Sequence, residues 1–289
     1  MASQQKSMPF IKNMASSNRK LREQSLASLR TFLSAKHISS ALSTLDILKL
    51  WKGLFYALWM CDRPLPQQQL CADLSALIWI LPRGDGNAAV VSWLRGFWAT
   101  MAREWTTGID VLRMEKFLLL VRRMLGVSFN TTKKNNNSSS NKTKKEDAEA
   151  APRFNAERTE QVLQLLADWP FRAEEESRRE EDEEGLMPKL VPVGLKLHVL
   201  DIWIDEAEKA GMLLSTTTTK ATTSQGTLSG RQVLRRINDL VESMRAETRS
   251  TQVRIRSKDA LADDRLPWNE TQEEESEDGD EDVWRGLGD

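Results

Sequence analysis

Apolar residues recur along most of this chain at the spacing of an α-helix, and one stretch carries the pattern most densely. In LDILKLWKGLFYALWMCD (residues 45–62), Ile47, Leu50, Trp51, Leu54, Phe55, Leu58 and Cys61 share one arc, leaving Lys49, Lys52 and Tyr56 on a narrow polar strip. The arc is about twice the roughly 100° stripe of an ordinary surface helix, so this helix is expected to be flanked on two sides. Ser43, with Asp46 three residues on, marks its start, and Pro64 marks its stop.

The same reading places a helix over residues 16–34 with Leu21, Leu29, Phe32 and Leu33 buried, and a short helical turn at Phe10-Ile11 before it. A third helix is expected over 66–81 (Leu70, Leu74, Leu77, Ile78). A glycine-rich turn at 84–87 then supplies an N-cap for a fourth over 88–105 (Val90, Val91, Leu94, Phe97, Trp98, Met101, Trp105). A fifth over 109–125 buries Leu118, Val121 and Leu125 and ends at Gly126. Helices are also expected over 156–169 (Val162, Leu165, Leu166, Trp169), within an ordered stretch 188–212 where LKLHVLDIWIDEAEKAG has Pro192 near its first turn and Gly211 as cap, and over 228–249 (Leu234, Ile237, Leu240, Val241, Met244). Starts near 45 and 88 lie about 43 residues apart, the spacing of helical-pair repeats. The expected fold is all-α, a HEAT/ARM-like helical-repeat (α-solenoid) array. Its parts would be an N-terminal array (1–129), a disordered polar linker (130–152), C-terminal helices (153–249) with an acidic loop at 174–184 and a Thr-rich loop at 215–226, and a mostly disordered acidic tail (250–289).

Charge changes the picture because it is segregated. The formal net charge is −1, yet residues 1–145 carry 22 Lys and Arg against 8 Asp and Glu, and the remainder 19 against 34. A basic half points to a polyanionic partner such as RNA. Candidate phosphate contacts are Lys12, Arg19, Lys20 and Arg22 at the start of the first long helix, Lys49 and Lys52 on the polar strip, and Arg122 and Arg123 at the end of the fifth helix. The bland alternative is a solvated basic face. Lys133 and Lys134 with Lys142, Lys144 and Lys145 have the look of a split nuclear-import signal, or simply of a basic linker.

Most of the ten tryptophans fall among aliphatics at helical spacing, so Trp51, Trp98, Trp105, Trp169 and Trp203 are read as core. Trp268 and Trp284 lie in acidic sequence and are candidates for docking on a partner. His198, Asp201 and Asp205 share a helical face in a metal-like spacing, but with no further His or Cys nearby they are read as a solvated face, and no metal or other cofactor is expected. Cys61 and Cys71 read as buried thiols of a reducing compartment. No secretory leader, membrane span, phosphate loop or catalytic triad is evident, so no membrane or small-molecule substrate is expected and the chain is read as not an enzyme.

PFIKNMASSNRKLREQSLASLRTFLS and LDILKLWKGLFYALWMCDRPLPQQQLCADLS (both within residues 9–75), followed by VPVGLKLHVLDIWIDEAEKAG (191–211), resemble the signatures of the ribosomal RNA-processing protein 1 family. The resemblance covers roughly residues 8–214, without the insert and the acidic run. It implies a HEAT-like, non-catalytic nucleolar factor acting as a scaffold in pre-ribosomal particles. The partners it implies are pre-rRNA of the large subunit and other ribosome-assembly factors. The chain departs from longer members in lacking their extended basic C-terminal tail. The competing function class is a helical adaptor that binds proteins and not RNA.

Overall fold

The computed structural model describes residues 10–35, 42–82, 87–134, 151–173, 185–214 and 226–269. Ten α-helices occur among them: α1 Phe10–Met14, α2 Arg19–Ser34, α3 Thr44–Trp59, α4 Pro64–Ala76, α5 Ala88–Thr107, α6 Met114–Thr131, α7 Ala156–Asp168, α8 Val193–Lys209, α9 Gly230–Glu247 and α10 Thr251–Leu261. Two-residue strands β1 Phe154–Asn155 and β2 Thr227–Leu228 pair antiparallel. The fold is all-α.

Helix α3 is the inner element its broad apolar arc requires. Ser43 accepts the Asp46 amide at 3.1 Å, and nine of the helix's residues are buried between α1, α4 and α5. Beyond it the helices pack with alternate elements adjacent. Helix α3 lies on α5, α5 on α7 and α7 on α9, while α4 lies on α6, α6 on α8 and α8 on α10. One hydrophobic cluster runs from Met14 to Leu266 and contains all five tryptophans expected inside.

Several boundaries and faces differ from expectation, each for a local reason. Leu21 is exposed, because Ser25, Leu29 and Leu33 form the buried stripe of α2. Val91 is only half-buried, and Trp93 takes the inward position on α5. Asn87 holds the N-cap position of α5 in a left-handed conformation (φ 65°), yet its side chain makes no capping bond. Helix α6 does not stop at Gly126 but runs through it to Thr131. There the missing side chain makes room for the Glu206 carboxylate of α8, whose Oε2 lies 2.5 Å from where a Cβ would stand.

The polar insert begins later than position 130, since Asn130 and Thr131 complete α6 and Lys133 bridges to Phe154. The Asn155 amide donates to the Thr132 carbonyl, Lys134 to Arg153, and Ala156 to Gly226. The chain on both sides of the insert and the start of β2 are thereby tied at one place. Helix α10 and the turns to Asn269 occupy the stretch read as tail.

Packing of α3 on α5 leaves no room at Gly96. A Cβ there would collide with Ile47 Cγ2 and lie 3.0 Å from Trp51 Cδ1. Gly96→Val is therefore expected to destabilise the protein by about 2–3 kcal/mol through overpacking, read as an earlier urea midpoint with an unchanged m-value. The same change at Gly226, where nothing lies within 4 Å of such a Cβ, would act only through its φ of +87°.

Candidate nucleic-acid interface

Helices α1 and α2 do not close tightly over α3 and α4. Between them runs a groove of about 500 Å³ floored by Met14, Leu26, Leu54, Ala57, Cys61 and Leu70. Its rim carries Arg19, Arg22 and Arg63, set against Glu23, Asp62 and Asp73. A second depression shares Arg19, Pro66 and Gln69 with it and adds Gln68 and Arg123. Arg19 and Arg123, far apart in sequence, are thus brought to one surface by the packing of α4 on α6. Arg63 was missed in the sequence because a residue before Pro64 reads as loop; the only signal was its position ahead of a helix whose first turn begins with proline.

The sequence-derived cations divide by what holds them. Lys12, Lys20 and Lys49 are exposed and form no ion pair among the described residues. Arg19 binds Glu23 at 2.6 Å on the surface. Arg22 donates to the carbonyls of Ser16 and Ser17, at 2.8 and 2.9 Å, and so ties down the turn before α2. Asn18 caps that helix by accepting from the Lys20 amide, so one of its N-terminal donors is already satisfied.

Lys52 is not a free surface charge. It pairs with the buried Glu104 of α5 and lies 5.2 Å from the Tyr56 ring. Arg122 sits inside α6 and bonds Asp205 at 3.1 Å and Glu206 at 3.4 Å on α8. The face of α8 read as solvated is in fact an ion-paired seam. Asp201 receives Arg256 at 2.8 Å, Asp205 receives Arg265 at 3.1 Å, and Glu206 receives Lys209 at 2.7 Å. His198 points inward and its Nε2 lies 2.9 Å from the Leu118 carbonyl. Among the described residues no cluster of His, Cys, Asp and Glu could hold a metal ion. No described helix is long and apolar enough to cross a membrane.

Trp268 does not stand free. It is half-buried against the core with the Arg235 guanidinium 4.8 Å from its ring. Trp284 lies outside the described residues, as do Lys142, Lys144 and Lys145. Lys133 is half-buried at the β-bridge, where desolvation lowers its pKa, while Lys134 is exposed.

A buried cation not anticipated from sequence holds the end of α3. Lys116 donates to the carbonyls of Trp59 and Cys61, at 2.7 and 2.8 Å, and burial lowers its pKa. It satisfies carbonyls that the end of a helix leaves open. Both cysteines are buried and free, and desolvation pushes the Cys71 thiol up to about 12, so it is inert as a nucleophile.

Fold and groove together define an all-α helical protein with an apolar surface groove rimmed by arginines. The chain belongs to the nucleolar protein family Nop52, whose family model matches residues 5–285. It is 29% identical over 212 residues to the human "Ribosomal RNA processing protein 1 homolog B", covering 73% of this chain and 23% of that protein. It is 29% identical over 204 residues to the mouse "Ribosomal RNA processing protein 1 homolog A" (70% of this chain, 34% of that protein). With the Drosophila melanogaster "Ribosomal RNA processing protein 1 homolog" it shares 40% identity over 80 residues (28% and 11%). The matched part is thus about a third or less of these relatives' lengths.

Lys52→Ala strands the Glu104 carboxylate in the core and is expected to cost about 2 kcal/mol, the cost of an unpaired buried charge reduced by the partial exposure of the lysine. Lys49→Ala should stay within about 0.5 kcal/mol. Chemical denaturation of the two variants checks the difference.

His198 makes a pH prediction. Burial lowers its pKa below the ordinary 6.5, outweighing the Leu118 carbonyl, which raises it; Arg122 lowers it further and Asp201 raises it. A depressed pKa means the unfolded chain binds the proton first. The stability that His198 contributes is therefore full above pH 6.5 and lost as pH falls through the folded-state value. Melting temperature should drop between pH 7 and pH 5, and drop less in His198→Gln.

Proposed function

We propose that this protein is a non-catalytic ribosome-biogenesis factor of the nucleus and nucleolus, acting in rRNA processing as a scaffold within pre-ribosomal particles. The names of its relatives, and its family's description as nucleolar, support that assignment. The observation that carries the molecular reading is the surface formed by Arg19, Arg22, Arg63 and Arg123 along the groove, with Lys12 and Lys20 on the adjoining helices. Cations presented by rigid helices meet phosphates at fixed positions without reading sequence. The partner is precursor rRNA of the large subunit, held together with other assembly factors, and nuclease chemistry belongs to other proteins.

The alternating packing of α3 to α10 supports a HEAT-like repeat of helical pairs, one layer running α3, α5, α7, α9 and the other α4, α6, α8, α10, with α3/α4 and α9/α10 also in direct contact. Such an array serves scaffolding because each pair contacts chiefly its neighbours and the surface stays extended. Lys134, with the three lysines beyond it, supports a nuclear-import role for the insert.

A second reading is favoured by one feature of the same groove, its apolar floor beside Glu23, Asp62 and Asp73. That lining fits a peptide of an assembly factor and makes the chain an adaptor that does not touch RNA.

Binding of the full chain to a labelled rRNA fragment over a salt series separates the two readings. Lys12→Glu, Lys20→Glu and Arg63→Glu combined are expected to lower affinity roughly tenfold and to flatten the logarithmic salt slope by about 2. A wild-type protein whose RNA binding does not respond to salt would leave only the adaptor.

A further inference from the structure

The second half of the chain is acidic only on average. Of its 34 Asp and Glu, eighteen lie in residues 174–184 and 270–289, whereas residues 226–269 hold nine Lys and Arg against six Asp and Glu. The folded C-terminal helices are therefore basic, a fact that a half-chain balance conceals.

The ion pairs of α9 and α10 sort these cations. Arg236 is engaged by Glu160 of α7, Arg256 by Asp201, and Arg265 by Asp205, Glu208 and Asp263. These three hold neighbouring helices together. Arg231 donates to the Pro267 carbonyl and Arg235 covers Trp268, so both pin the segment after α10. Arg245, on the last turn of α9, and Lys258, on α10, are exposed and form no ion pair among the described residues. Arg254 is exposed one turn before Lys258. One of its amino groups donates to the Thr248 carbonyl at 2.8 Å, which braces the guanidinium at the α9–α10 corner without neutralising it. Ile255, 57% exposed, lies beside Arg254 in the sequence.

We propose that the α9–α10 corner, through Arg245, Arg254 and Lys258, is a second surface for the RNA sugar-phosphate backbone, separate from the groove at α1–α4. The proposal rests on the reading of this protein as an RNA-contacting factor. Charge complementarity selects the occupant: three cations with no ion pair among the described residues, one of them braced by backbone, oppose a phosphate chain and match no apolar or cationic partner. Two basic surfaces at the two ends of one helical array attach the RNA at two points, so the protein holds two segments of a strand at a fixed separation.

The test uses the full chain and fluorescein-labelled polyuridylate, followed by anisotropy from low to moderate salt. Arg245→Glu, Arg254→Glu and Lys258→Glu combined are expected to weaken binding roughly tenfold and to make the salt slope shallower by about 2, with the thermal melt showing a folded protein. The single variant Arg254→Lys, which keeps the charge, should bind as the wild type does. Wild-type affinity and slope in the folded triple variant would overturn the proposal. So would the same result joined to tighter binding by a chain ended after Asn269, which would assign the corner to the protein's own acidic terminus. The groove variants are measured beside it. Loss in those alone sinks this second surface and leaves the proposed function standing, loss in the corner variant alone does the reverse for the groove, and no salt-sensitive binding by the wild type overturns both.

Discussion

Everything N-terminal of α6 depends on how Trp51 is housed. Its indole is 1% exposed, stacks obliquely on Trp93 at 4.9 Å and meets Phe97 edge-on at 5.1 Å. Its buried indole N–H donates to the Trp93 carbonyl at 2.9 Å. That bond requires α5 to come close, and the close approach requires Gly96. Truncating such a side chain to alanine would cost about 3–5 kcal/mol, a large part of a domain's whole stability. The far end of α3 is secured differently, by the Lys116 ammonium on two carbonyls and by Phe55 stacked on Phe117 at 4.7 Å. One helix thereby fixes both α5 and α6, and with α6 the position of α4, which lines the groove.

What was legible in the sequence was whatever a single helix decides for itself. The Ser43 cap, the inward face of α3, the span of α7 and the stop of α8 at Gly211 each depend on residues within a few turns. The 3.6-residue period carries that information directly. Misreadings arose where the same letters serve two purposes. Gly126 reads as a helix stop, because glycine commonly caps helices, and it is in fact a clearance for Glu206. Ser229 and Gln232 form a full capping box that the apolar pattern hides, because that pattern already starts at Leu228.

The candidate site was less legible, and the reason is distance along the chain. Lys52 and Glu104 are 52 residues apart, and Arg122 and Asp205 are 83 apart. No local pattern tells a lysine that will meet a buried carboxylate from one that will meet water. Composition over half a chain has the opposite fault, since it averages the acidic runs with helices that are basic in themselves.

Where each cation ends up follows from the stacking. The acidic side of α8 faces α6 on one side and α10 on the other, and it absorbs an arginine from each: Arg122 from the first, Arg256 from the second, with Arg265 from the segment beyond α10. A helix in the middle of such a stack has neighbours to neutralise what it presents. Among the described residues Lys12, Lys20 and Arg30 on the first helices and Arg245 and Lys258 on the last form no ion pair, and neither does Lys49 on the solvent strip of the inner helix α3. Desolvation argues the same way, because an unpaired charge is tolerated only where water still reaches it. Which charges stay free is thus set less by how many lysines and arginines the chain carries than by whether a carboxylate of a neighbouring helix or turn reaches them.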